Sequence, residues 1–103
     1  MEDITTVIFR KFKDGEIIAL FPYEIENKEG HVMSYMHNGQ HGGAVLGIIL
    51  DTKLATPSEH KDLKAELESI GYNLKVCKRV NINKWVKARE LLRYHHNGLH
   101  ITV

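Results

Sequence analysis

Two runs of strand-forming residues hinged on Asp14-Gly15 constrain the fold of this chain more than anything else in it. Thr5 to Lys13 is rich in β-branched and aromatic residues, Asp14-Gly15 is a pair favoured in two-residue hairpin turns, and Glu16 to Phe21 resumes the apolar run. Ile17-Ile18-Ala19-Leu20-Phe21 is apolar at every position, so both faces of this strand must be covered. That is the pattern of a central strand, with Pro22 expected to end it or turn it outward.

The rest of the chain must pack around that strand. His31 to His37 reads as a third strand with Val32, Ser34 and Met36 on one face and Met33, Tyr35 and His37 on the other. Ala44 to Leu50 reads as a fourth, with Gly47 marking a bulge or a close backbone approach. Thr56-Pro57-Ser58-Glu59 is a helix start: Thr56 caps, Pro57 takes the first helical position and Glu59 completes a capping box. That helix should run to Gly71 with Leu63, Leu67 and Ile70 as its buried stripe. Asn73 to Val80 follows as a strand, and Asn83 is placed to cap a second helix from Lys84 to His95, stopped by Asn97-Gly98 and followed by an extended tail, Leu99 to Val103. In that second helix Ile82, Trp85, Val86, Ala88 and Leu92 form an apolar arc, and Arg89 and Arg93 fall inside it, so their stems lie over the core or their charges face a partner. The order β-β-β-β-α-β-α is that of an α+β domain with a mainly antiparallel sheet.

At 103 residues, 43% hydrophobic and 26% charged, the chain fits one core and one domain, residues 1–103, with residues 81–103 as a C-terminal helical extension. Its acidic opening lacks the basic and then apolar pattern of a signal peptide, and its longest apolar run, the seven residues Ala44 to Leu50, is too short to span a bilayer. A lone cysteine, Cys77, excludes an intramolecular disulfide. The expected setting is cytoplasmic, with no membrane partner.

The net charge of +1 conceals a polarity. Residues 1–72 hold seven Lys/Arg against twelve Asp/Glu, a balance of −5, whereas residues 73–103 hold seven against one, a balance of +6. Either the two parts attract each other within the fold, or the basic third faces an anionic partner. Lys75, Lys78, Arg79, Lys84, Lys87, Arg89 and Arg93, interleaved with Trp85 and Tyr94, have the composition of a phosphate-binding surface that would hold nucleic acid without reading its sequence.

The densest group of hydrogen-bonding side chains is Ser34 to Gly43. Ser34, Tyr35, His37, Asn38, Gln40 and His41 supply directional contacts, while Gly42 and Gly43 let a ligand approach the backbone, with Arg10 adding positive charge from the first strand. A small polar or anionic ligand, or a protein partner, fits that composition; so does a tight turn that satisfies its own polar groups. His37 and His41 are four apart, but the glycines oppose a helix, and a metal would need remote ligands from Cys77, His60, His95, His96 and His100. Cys77 sits among Lys75, Lys78 and Arg79, which favour its thiolate, with His41 or His96 as its candidate base. No motif for a nucleotide or other cofactor occurs.

Four strings carry a resemblance: Val7 to Pro22, Ser34 to Ala44, Ala55-Thr56-Pro57 and Leu63 to Tyr72. They resemble a family of small uncharacterised proteins of bacteria and bacteriophages, over residues 5–80. The resemblance implies an intracellular accessory or mobile-element protein and carries over no catalytic residue. The leading expectation is a non-enzymatic binding protein using residues 34–43; a nucleic-acid binder using the basic third, a hydrolase built on His37, His41 and Cys77, and an interaction protein or inhibitor are the alternatives.

Overall fold

The computed structural model describes residues 4–27, 30–36 and 40–101; the side chains of residues 40, 41 and 92–101 lie outside that description. The strands are β1 (Thr5–Lys11), β2 (Ile17–Ile25), β3 (Val32–Met36), β4 (Gln40–Ala44), β5 (Lys53–Leu54) and β6 (Leu74–Val76), and the helices are α1 (Pro57–Ser69) and α2 (Ile82–Ile101). The order of the sheet is β4-β3-β2-β1-β5, antiparallel throughout, and β6 joins β1 in parallel. The protein is an α+β domain with a mainly antiparallel sheet, in the element order the sequence indicates.

The opening hairpin forms, but with a three-residue loop. Lys11 pairs with Ile17, the Phe12 amide donates to the Glu16 carbonyl at 2.9 Å, and the Gly15 amide donates back to Phe12 at 2.9 Å. This is a β-turn followed by a bulge residue at Gly15, in place of a two-residue turn at Asp14-Gly15. Strand β2 is covered on both faces as its composition demands. Val7, Phe9, Ala19, Phe21 and Tyr35 pack against Leu63 and Leu67 of α1. On the other face Ile18, Leu20 and Val32 pack against Leu46, Ile48, Ile49 and Trp85.

Pro22 does not end the strand. It lies buried inside β2, where the register on β3 jumps from the Phe21–Met33 pair to the Ile25–Val32 pair, and such an irregularity tolerates a residue without an amide hydrogen. The fourth strand is also displaced: β4 is the glycine-rich Gln40–Ala44, and Leu46–Asp51 is a 3-10 helix. The apolar run there turns Leu46, Ile48 and Ile49 onto the sheet as a lid, which a strand alternating between faces would not do.

Helix α1 starts as its sequence requires. Thr56 Oγ1 accepts from the Glu59 amide at 3.3 Å and Glu59 Oε1 accepts from the Thr56 amide at 2.9 Å. Its buried stripe is His60, Leu63 and Leu67, because Ile70 is 53% exposed at the helix end. The strand expected over residues 73–80 is limited to β6. Helix α2 is capped by Asn81 rather than Asn83: Asn81 Oδ1 accepts from the Lys84 amide at 3.2 Å, and the Trp85 amide donates to the Asn81 carbonyl at 3.0 Å. It continues through Asn97-Gly98 to Ile101, so the segment expected as an extended tail is largely helical.

Candidate functional site

The Ser34 to Gly43 group is divided by the sheet. Ser34 pairs opposite Gly42 and its hydroxyl donates to the Gly42 carbonyl at 3.0 Å, on the face that carries Leu20. Tyr35 points to the opposite face, where its hydroxyl donates to Oε2 of Glu66 on α1. Gly42 and Gly43 are strand residues. A Cβ at Gly43 would lie 1.5 Å from Glu26 Oε2, so glycine here admits a neighbouring carboxylate against the backbone. His37, Asn38 and Gly39 lie outside the described residues, as do the side chains of Gln40 and His41.

Arg10 is occupied inside the fold. Its Nε donates to Thr52 Oγ1 at 3.0 Å, and its Nη2 donates to the carbonyls of Ile49 at 2.8 Å and Thr52 at 2.5 Å. The guanidinium thus satisfies carbonyls left open at the end of the 3-10 helix, and burial draws its pKa below the ordinary value. Lys11, the other cation of β1, is ion-paired to Glu59. That contact and the Thr56 amide hold the Glu59 carboxyl down to about 2.

The seven late cations behave differently from one another. Arg89 is half-buried, with its guanidinium 5.7 Å from the centre of the Trp85 ring and its stem over Gly30, so this cation lies on the core as an amphipathic side chain can. Lys75, Lys78, Arg79, Lys84 and Lys87 are exposed. None of these five makes an ion pair among the described residues. Lys84 stands 5.6 Å over the Tyr23 ring, and the Tyr23 hydroxyl accepts from the Asn81 amide at 2.8 Å, which fixes the start of α2 against β2. The side chain of Arg93 lies outside the described residues.

Cys77 shares a cavity with His60, where the sequence suggested His41 or His96 as its base. The Cys77 amide donates to Val7 at 2.8 Å, the Ala55 amide donates to Phe9 at 2.9 Å, and a cavity of about 280 Å³ opens between the two segments so anchored. Phe9, Leu54, Ala55, Pro57 and Val76 form its apolar walls, and His60, Cys77 and Lys78 also line it. His60 is 7% exposed, its ring stacks on Phe9 at 4.2 Å, and its Nδ1 is buried with no hydrogen-bond partner among the described residues. Burial lowers the His60 pKa against an opposing contribution from its own backbone, and Lys64 lowers it further. The sequence held one clue to this residue: His60 falls on the stripe of Leu63 and Leu67, a polar ring where an apolar one would be ordinary.

No group of three or more His, Cys, Asp or Glu placed to hold a metal occurs among the described residues. No helix among them is long and apolar enough to cross a membrane. Comparison with protein families, with curated proteins and with solved structures gives no match.

Proposed function

We propose that this chain is a binding protein, not an enzyme, and that residues 75–87 hold the phosphate backbone of a nucleic acid. The supporting observation is the set of exposed cations Lys75, Lys78, Arg79, Lys84 and Lys87, which make no ion pair among the described residues although the first 72 residues carry twelve carboxylates. A positive stretch that the protein does not neutralise is available to phosphates. By contrast Arg10, Ser34 and Tyr35 of the 34–43 group spend their polar atoms on the fold, so the basic segment is the better-supported ligand surface. Binding would be independent of sequence, because cations on phosphates position a strand without reading base edges.

Fluorescence anisotropy with mixed-sequence single-stranded and duplex oligonucleotides tests this. Affinity should fall linearly on a log-log plot between about 50 and 200 mM salt, and each Lys→Gln change at Lys75, Lys78, Lys84 or Lys87 should reduce the slope by about one. No binding at the low-salt end, or undiminished binding after all five cations are changed to Gln, overturns the reading.

A further inference from the structure

Strand β1 changes neighbours along one edge: β5 pairs with it at Arg10 and Lys11, and β6 at Thr5, Thr6 and Val7. The cavity lies at this handover, bounded by Phe9 of β1, the β5–α1 turn, the first turn of α1 and the end of β6. Its polar groups do not resemble a packing fault. Nδ1 of His60 is buried on a side chain more than nine-tenths buried, where a group without a partner is costly. Lys78, an exposed cation with no ion pair among the described residues, lines the same space. The remaining walls are almost wholly hydrocarbon.

We propose that this cavity binds a small carboxylic acid whose hydrocarbon part lies against Phe9, Leu54, Ala55 and Val76 and whose carboxylate is held by the His60 imidazole and the Lys78 ammonium. A carboxylate is the complement of what the site offers. It accepts a hydrogen bond from the imidazole whose ring lines the cavity, and it accepts from an ammonium that otherwise faces only water. A neutral amide of the same shape keeps the apolar contact and loses the charge. At about 280 Å³ the cavity lies at the small end for ligand sites, which selects a single ring or a short chain. Thr56 and Glu59 are already joined in the capping box, so the imidazole and the lysine carry recognition without help from the helix start. The site is separate from the phosphate-binding reading: four of its five cations do not line the cavity.

Cys77, the sole thiol, reports occupancy. Benzoate and hexanoate, titrated separately into the full chain, should slow alkylation of Cys77 by iodoacetamide with saturation. They should also shift the amide resonances of Ala55, His60 and Cys77. Benzamide should bind at least tenfold more weakly than benzoate. Lys78→Met, at an exposed position, should remove that preference. Val76→Trp, at a 41% exposed edge position, should fill the cavity and abolish protection of Cys77 with the remaining amide spectrum unchanged. Should Val76→Trp fail to fold, the benzoate-to-benzamide ratio in wild type and in Lys78→Met still decides the matter. Absence of saturable protection by both acids, equal affinity for benzamide, or undiminished binding in a folded Val76→Trp protein overturns the proposal.

Discussion

A neutral imidazole whose Nδ1 is closed off from water at the first turn of α1 costs the fold free energy, because that nitrogen has surrendered its hydration and gained no partner among the described residues. Stacking on Phe9 offsets part of that cost. His60→Leu should therefore leave stability at pH 7.5 unchanged or raise it by about 1 kcal/mol, where an ordinary core truncation would lower it. The pH dependence has a definite sign. Burial, the largest influence, depresses the His60 pKa below 6.5, so the unfolded chain takes up the proton first as acid is added. Wild type should lose stability as pH falls below 6.5, and His60→Leu should lose less over the same interval. Lys64 on the same helix acts in the same direction, and Lys78, which lines the same cavity, brings no opposing charge, so neither removes this slope. Urea unfolding at pH 7.5 and 5.5 on both proteins measures both effects, and a leucine variant that is less stable at pH 7.5 with the wild-type slope refutes the account. Arg10 is the opposite case: its charge is spent on the Ile49 and Thr52 carbonyls, which makes it a support of the 3-10 helix.

Among the described residues, helix α2 meets the sheet through contacts near its start. Trp85 packs on the face that holds Ile18, Leu20 and Val32, and its Nε1 donates to the Gly30 carbonyl at 3.1 Å. Gly30 has φ 88°, and a Cβ there would lie 2.6 Å from Trp85 Cζ2, so both the backbone conformation and the indole require glycine. Gly30→Ala should cost about 2 kcal/mol or more and shift the emission of Trp85, the only tryptophan, to the red as α2 leaves the sheet. Unchanged emission and stability would mean that the helix is held elsewhere. Whether the sequence reveals an element depends on whether its cause is local. Thr56, Pro57 and Glu59 act within one turn and are legible; so is the uniformly apolar Ile17 to Phe21. Pro22 survives inside β2 because β3 slips past it, and Leu46–Asp51 coils because two faces of the sheet need covering, causes that lie in other strands. The sequence points to Asn83 as the cap of α2, whereas Asn81 takes that role, and the Tyr23 hydroxyl, bonded to the Asn81 amide from β2, belongs to the arrangement that favours it. The candidate site was half legible on the same terms. The run of cations at 75–87 is contiguous and visible, whereas the meeting of His60 with Cys77 requires β5 and β6 to share one edge of β1.

Across the whole molecule, the charge polarity bears on whether the basic third serves the fold or a partner. Were the −5 and +6 portions holding the domain together, the late cations would sit on the carboxylates of the first portion. Lys75, Lys78, Arg79, Lys84 and Lys87 instead make no ion pair among the described residues, and the core is built from two apolar clusters that enclose the sheet. Charges held apart by water beyond about 8 Å are largely screened at physiological ionic strength, so general attraction between the portions adds little. Changing Lys75, Lys78, Arg79, Lys84 and Lys87 together to Gln takes the formal charge from +1 to −4, yet it removes no ion pair found among the described residues. Calorimetry in about 0.15 M salt should place the melting temperature of that variant within about 2 °C of wild type, since exposed charges without partners contribute little to stability. Lys84 gives up its position over Tyr23, which at an exposed site is worth about 0.5–1 kcal/mol and sets the upper end of the expected loss. A fall of more than about 5 °C, recovered in low salt by restoring any one cation, would show the polarity to be an internal bond between the two parts and would leave the basic segment with no charge to spare for phosphate.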